Sequence, residues 1–357
     1  MRVAVDATYA RRGRGGSFSG TGVYLQRLVP ALRRLGVEVV ELANTGRRPP
    51  GGGGLRSVRN VLADTAWTQH ELPRLAAGAG ADVLHHPLPA RSRASGLAQV
   101  VTVHDLAFEA LPWAFDPAFR RWAAQAHRSA ARGADAVVTP SQATCDDVME
   151  RWAIAAAQVV VARHGPGQEP DGTRPPAAPT HFLYVGDNEP RKNLGLLLEG
   201  YARYRAATEA DGDAPALPLV LAGSAAASGA GITVEHRPDP QRLARLYAGA
   251  AALVHPALHE GFGLTPLEAM SAGTPVVAVH SAAVAEVCDD AALYVGPHAA
   301  GDLAGHLQTL AGDASVRADL RLRGRRRAAE FSWARCARAH LRAYTLALRR
   351  RTERRVG

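Results

Sequence analysis

Short continuous runs of β-branched and aliphatic residues alternate with helix-period stretches along the chain, and the alternation occurs twice. The first series reads as strands at residues 3–7, 37–42, 83–85, 100–103, 136–139 and 159–162, with a helix at 22–35 closed by Gly36 completing a βαβ unit. Unbroken apolar runs of this length are what a parallel sheet covered on both faces requires. Residues 164–180 read HGPGQEPDGTRPPAAPT, where Pro and Gly oppose both helix and ladder hydrogen bonding. A second series follows, with strands at 182–186, 217–222, 232–236, 252–255, 276–279 and 293–295. The expected fold class is therefore α/β, with two Rossmann-like domains at 1–165 and 181–332 and a linker at 166–180. A length of 357 residues suits two such cores. The helix expected from about Trp333 onward either finishes the second domain or packs back on the first. Residues 47–54, with two prolines and four glycines, read as a loop.

A formal charge of +9 and a pI near 10.1 ordinarily point to polyanions. Here Lys192 is the one lysine among 42 basic residues, and Arg, Ala, Gly and Pro are abundant throughout. The charge therefore reads largely as compositional background. No RNP, helix-turn-helix or zinc-finger pattern appears, so no nucleic-acid partner is expected. Cys145, Cys288 and Cys336 stand far apart without CxxC spacing, which argues against a disulfide framework or a zinc site. The fourteen histidines show no HExxH or comparable spacing, and no protein-bound metal or other cofactor is expected. The first residues, MRVAVDA, lack a basic n-region and apolar h-region, and no run reaches about 18 apolar residues. The expected location is cytoplasmic, with peripheral association at the inner face of a membrane left open should the acceptor be lipid-linked.

Residues 259–273 read HEGFGLTPLEAMSAG directly after an apolar strand. Thr265 as N-cap, Pro266 at the first helical position and Glu268 three residues after the cap give a local reason for a helix start there. A second reading is functional. A glycine-rich approach to a helix N-terminus leaves backbone N–H groups directed at an anion or sugar oxygens, and Glu260 and Glu268 flank that loop as acceptors for vicinal hydroxyls. Residues 186–193 read GDNEPRKN, after a strand and opening a helix from 194 to 205. A solitary Lys192 among arginines points to a need for a compact, flexible charge, as at a phosphate, with Arg191 supplying a planar fork beside it. The alternative is a solvated helix start. The loop 8–21 carries Gly13, Gly15, Gly16 and Gly20, then Gly22, but GTGVYL has Leu25 at the third glycine place of GxGxxG and lies about a dozen residues from its strand. It fits a substrate lid or an acceptor-side contact better than a dinucleotide fingerprint. His104 and Asp105 end the strand at 100–103, on the edge where α/β sheets hold ligands, although a lone His there also serves structure.

Taken together these residues resemble the retaining, GT-B-fold glycosyltransferases of family 4. Glu260 and Glu268 around GFGLTPLEAMSAGTPVV carry the resemblance, with GDNEPRKN, TGVY, VHDL at 103–106, TPSQAT at 139–144 and SAAVAEVCDDAALYV at 281–295 in the expected order. It implies two Rossmann-like domains facing a cleft, the acceptor held by the first, the nucleotide sugar by the second, and a C-terminal helix crossing back. It implies that Glu260 binds hydroxyls of the transferred sugar and Glu268 those of the ribose. Arg191 and Lys192 would hold the diphosphate, beside Gly186. The backbone of Gly261, Phe262, Gly263, Leu264 and Thr265 would line the donor, Gly22 would approach from the first domain, and His104 would lie near the anomeric carbon. The base pocket is expected around residues 231–237, including His236. Many members carry Arg where this chain has Asp187, which shifts phosphate binding toward Arg191 and Lys192. The implied reaction moves a hexose-type sugar from a UDP- or GDP-sugar to a hydroxyl of a glycan, lipid-linked or small-molecule acceptor, with retention and without a metal ion. The rival is an NAD(P)-dependent oxidoreductase, since Glu41 ends the second strand where a ribose-binding acid would lie.

Overall fold

The computed structural model describes residues 1–10, 20–46, 55–168, 176, 178–212, 215–225 and 227–356. Most of the glycine-rich loop after the first strand, the whole stretch 47–54 and most of the expected linker lie outside the described residues. The chain divides into two compact units. The first comprises Met1–Glu109, Phe115–His164 and Trp333–Gly357, and the second Ala110–Ala114 and Gly165–Ser332.

In the first unit β1 (Arg2–Asp6), β2 (Glu38–Leu42), β3 (Val83–His86), β4 (Ala98–Thr102), β5 (Ala136–Thr139) and β6 (Val159–Val161) form a six-stranded sheet in the order β2-β1-β3-β4-β5-β6. Every pairing is parallel. Successive residues feed opposite faces, as the two-residue period of a strand dictates. Val3, Val5, Val100 and Val138 pack with the helices Gly20–Arg34 and Trp333–Val356. On the other face Ala4 and Leu84 meet Trp67 and Leu72, while Val101 and Val137 meet Ala123, Val148 and Trp152. Both faces are thus apolar, which is why these strands read as continuous runs.

The second unit contains β7 (His181–Gly186), β8 (Leu219–Gly223), β9 (Ile232–His236), β10 (Ala250–His255), β11 (Val276–Val279) and β12 (Ala292–Val295), again all parallel, in the order β12-β11-β10-β7-β8-β9. Counted within the unit this is 3-2-1-4-5-6 from the other edge, the doubly wound order whose reversal lies between the first and fourth strands. Phe182, Tyr184 and Val254 face the helices Leu194–Asp211 and Ala300–Gly312. Leu183, Leu253 and Val276 face Pro240–Gly249, Leu264–Ala272 and Ala282–Cys288. Together the two sheets give the α/β class expected from the sequence.

The C-terminal helix belongs to the first unit, and a buried polar network pins it there. His340 Nδ1 donates to the Cys336 carbonyl at 2.8 Å, which leaves Nε2 to accept from the Tyr24 hydroxyl at 2.6 Å. Tyr24 also meets Thr102 Oγ1 at 3.1 Å, Thr102 meets His85 Nε2 at 2.9 Å, and His85 Nδ1 meets the Tyr344 hydroxyl at 2.9 Å. Burial holds His85 and His164 well below the usual imidazole pKa and His340 at about 4, with neighbouring histidines adding to the effect on each except that the Cys336 carbonyl pulls His340 partly back. All three are neutral at pH 7.

Because these folded-state pKa values are depressed, the unfolded chain takes up protons first as pH falls below about 6.5, and each such histidine costs up to about 1.4 kcal/mol per pH unit until its folded pKa is reached. Full stability is therefore present above pH 6.5 and declines between 6.5 and about 4. The thermal midpoint by circular dichroism is expected to drop steeply from pH 7 to pH 5. His340→Gln should begin less stable at pH 7 but decline less steeply, and identical slopes would refute the assignment.

Candidate functional site

The carboxyl ends of β7 and β10 lie side by side at the strand-order reversal of the second unit, the place where open α/β sheets bind ligands. The chain leaving β7 passes Gly186 and forms a 3₁₀ turn at Pro190–Lys192 before the helix Leu194–Asp211 begins. The approach is close-packed. A Cβ on Gly223, whose φ is +127°, would sit 2.2 Å from the Gly186 carbonyl oxygen, so only glycine fits there. The chain leaving β10 returns beside it, with Leu258 N–H donating to the Arg191 carbonyl at 2.9 Å.

That backbone contact brings four charges together. Lys192 Nζ donates to Glu260 Oε1 at 2.5 Å, and Arg191 Nη1 lies 3.5 Å from Glu260 Oε2. Arg191 Nε donates to Glu189 Oε2 at 2.6 Å. The side chains of Lys192, Glu260 and Arg191 are 14%, 15% and 18% exposed, so their attraction is only weakly screened. Burial by itself would raise the Glu260 pKa, but Lys192, with His255 and Arg191, holds it down at about 2. His255 ends β10 with its Nε2 at 3.6 Å from Glu260 Oε1. Burial lowers its pKa to about 4 against the pull of Glu260, with Lys192 and Arg191 adding to the depression, so it is neutral at pH 7.

Glu268 stands one turn inside the helix Leu264–Ala272 and accepts from the Tyr247 hydroxyl at 2.9 Å. Burial and the adjacent carboxylate raise the Tyr247 pKa, keeping the phenol a donor. The capping expectation is corrected. Gly263, at φ +107°, occupies the N-cap, so Thr265 and Pro266 fall at the second and third helical positions. The glycine reaches a turn conformation that threonine resists, and the helix starts two residues early. Glu268 is therefore not the acid of a capping box on Thr265.

The structure brings Arg191, Lys192 and Glu260 together, while Gly186 ends β7 packed against Gly223. The Phe262 side chain is core, edge-on to Phe331 at 5.8 Å between centroids, leaving its backbone for any ligand contact. Gly261, Phe262 and Gly263 are buried, while Leu264 and Thr265 are half-buried. His236 is exposed at the end of the edge strand β9. Asp187 accepts from Ser224 and through its carbonyl from Tyr184 at 3.0 Å. In the first unit, Gly22 is buried in the opening turn of its helix. His104 packs edge-on to Tyr24 at 5.0 Å, burial lowers its pKa, and its Nε2 has no hydrogen-bond partner among the described residues. Glu41 is engaged by Arg33 at 2.8 Å rather than presented as a lone ribose acceptor. Residue-by-residue reading missed His255, Glu189 and Tyr247. The legible signal was a histidine ending an apolar strand five residues before Glu260. Among the described residues no three His, Cys, Asp or Glu side chains gather as metal ligands, and no helix is long and apolar enough to cross a membrane.

Residues 18–165 match the family model described as Glycosyltransferase Family 4, and residues 168–327 the model described as Glycosyl transferases group 1. The chain is 33% identical over 180 residues to O-antigen chain mannosyltransferase B of Escherichia coli, covering 46% of each, so it spans about half the length of that relative. Sucrose-phosphate synthase from Thermosynechococcus elongatus superposes with a TM-score of 0.74 at 20% identity, over 96% of this chain and 98% of that one. The Anabaena HepE structure in complex with UDP and glucose gives 0.68 at 14% identity, over 96% and 98%. These likenesses give the fold as GT-B and displace the oxidoreductase alternative. With family models matching residues 18–165 and 168–327 in sequence order, the chain belongs to the glycosyltransferases of family 4.

Proposed function

We propose that the protein is a retaining glycosyltransferase that moves a hexose-type sugar from a UDP- or GDP-sugar to a hydroxyl of a saccharide, lipid-linked or small-molecule acceptor. The observation that carries this reading is the Lys192–Glu260–Arg191 cluster. The bond to be broken joins the anomeric carbon to a phosphate oxygen. Groups that neutralise the phosphate and groups that grip sugar hydroxyls must therefore lie within a few ångströms of each other. Glu260 supplies the acceptor for hydroxyls, and Lys192 and Arg191 supply donors for the diphosphate. The HepE structure, solved with UDP and glucose, supports a nucleotide-sugar donor. Glu268, oriented by Tyr247, takes the ribose hydroxyls, and the backbone of Gly261–Thr265 lines the donor.

Retention follows a front-face path in which the leaving phosphate accepts the acceptor's proton, so no protein nucleophile is required. The residues then orient the donor and neutralise charge that grows on the diphosphate, the positioning and electrostatic terms that commonly dominate such transfers. Two cationic side chains do this without a metal ion. Peripheral attachment to a membrane accompanies this activity where the acceptor is lipid-linked.

A panel of UDP-, GDP- and dTDP-sugars scored by thermal shift and slow donor hydrolysis tests the activity, with turnover expected for at least one donor and unchanged by EDTA. Tight NAD binding with no nucleotide-sugar response would reverse the reading. Lys192→Ala is expected to lower turnover by about two orders of magnitude, the scale of losing one charge-stabilising donor, with its melting midpoint near that of the parent. Lys192→Arg should recover part of it. Full activity in both variants would remove the phosphate role. Glu260→Ala should impair transfer more than nucleotide binding, and Glu268→Ala the reverse. Equal losses of thermal stability with unchanged kinetics would return both glutamates to structural roles.

A further inference from the structure

The strand β10 is buried along its whole length, and five of its six residues are Ala, Leu or Val. The sixth, His255, closes the strand opposite Ala278 of β11 and is 3% exposed. A polar group withdrawn this far from water ordinarily has a hydrogen-bond partner, because an unmade bond forfeits the whole cost of desolvation. His255 Nε2 is buried and has none among the described residues. It lies 3.6 Å from Glu260 Oε1, just outside bonding reach.

A neutral imidazole carries its one proton on either nitrogen, and the neighbour decides which. Glu260 is ionised, so a lone pair on Nε2 would face a negative oxygen, whereas an N–H there is attracted to it. Nε2 therefore carries the proton. The groups around the carboxylate account for its two oxygens. From the turn after β7, Lys192 Nζ donates to Oε1 at 2.5 Å, while Arg191 Nη1 lies 3.5 Å from Oε2 and its Nε is engaged by Glu189. From β7 itself, the Tyr184 hydroxyl donates to the Asp187 carbonyl at 3.0 Å. His255 thus addresses the same oxygen as Lys192, and in this arrangement Lys192 has taken it. A diphosphate changes the competition. As charge grows on the leaving phosphate, it draws on Lys192, and Oε1 loses its donor at a place where burial by itself favours the protonated acid.

We propose that His255 is a positioning residue, a reserve donor whose Nε2–H closes on Glu260 Oε1 when Lys192 turns to the diphosphate and so keeps the carboxylate aimed at the sugar. The assignment rests on the glycosyltransferase reading for the diphosphate, but the contact is testable without one, since Lys192→Ala removes the competing donor outright. Long-range ¹H–¹⁵N spectra of the histidine-labelled full chain at pH 7, with His255→Gln identifying the His255 signals, are expected to show the Nε2–H tautomer. In Lys192→Ala that proton should move downfield and exchange more slowly with water. A lone pair on Nε2 in the parent, or a proton unmoved by Lys192→Ala, would overturn the proposal. With a donor that is turned over, His255→Leu should lower kcat by about tenfold while affinity for UDP or GDP by calorimetry is kept. The acidic limb of kcat should rise by about one pH unit, because Glu260 in the bound complex has lost its donor. The limb of kcat/KM reports the free enzyme, where Lys192 still holds Oε1, and should stay in place. His255→Gln, whose side-chain N–H reaches the position of Nε2, should recover most of the rate and return the limb. Equal losses in the Leu and Gln variants with an unmoved limb would assign His255 to packing, and a matching loss of nucleotide affinity would make it a nucleotide contact; either result overturns the proposal. The expected NMR shift in a chain that turns over no nucleotide sugar would uphold the reserve donor and refute the activity. Turnover without that shift would refute the reserve donor alone.

Discussion

The ion pair between Lys192 and Glu260 is the interaction on which the second unit's chemistry depends. Both side chains are largely withdrawn from water, and removing two charges from solvent costs several kcal/mol per ion, which their attraction offsets only in good geometry. Such a pair is weak evidence for stability. Under the proposed function it is two binding groups holding each other in register. Lys192 has three N–H donors and Glu260 four acceptor positions, so a sugar hydroxyl and a phosphate oxygen can join the pair before either partner must leave it. The charges of Glu189 and Glu260 balance those of Arg191 and Lys192, and His255 adds none because burial keeps it neutral. Under the proposed function a diphosphate would meet cations already aimed by carboxylates.

How this cluster arises explains how much of it could be read from the sequence. The strands were legible because parallel strands buried on both faces leave unbroken apolar runs, and the ends differ by a residue or two for local reasons. The run expected from residue 217 forms a strand only from Leu219, since Pro218 has no N–H to place in a ladder. Arg191, Lys192 and Glu260 were legible as residue types at loop starts, but their contact was not. It depends on β7 and β10 pairing across about 70 residues of chain, a nonlocal event that no local pattern records. His255, Glu189 and Tyr247 were missed for that reason. The helix start at Gly263 was misread for the opposite one, because residue preference favoured Thr265 while the backbone at φ +107° required glycine.

The first unit uses burial differently. Its interior holds His85, His164 and His340 together, a grouping that would be ruinous if they were charged, yet each is neutral and the hydroxyls of Tyr24, Tyr344 and Thr102 satisfy two of them. The network ties two strands and two helices distant in sequence, and it specifies where the C-terminal helix docks. An apolar seam alone would hold that helix less selectively, because Ala337, Ala339, Ala343 and Ala347 offer little shape to distinguish one register from another. Directional hydrogen bonds supply the missing register.

The same strand-order reversal occurs in each unit, between β7 and β10 in the second and between β1 and β3 in the first. At the β7–β10 reversal the chain gathers ammonium and guanidinium groups held by carboxylates, and the proposed function uses them for phosphate oxygens. Burial keeps imidazoles neutral in both units, His255 beside that cluster and His85, His164 and His340 around the C-terminal helix. The positive charge at the β7–β10 reversal is therefore set by Lys192 and Arg191 alone, and it is the pairing of those two cations with Glu260 and Glu189, rather than any titration near neutrality, that fixes the electrostatics there.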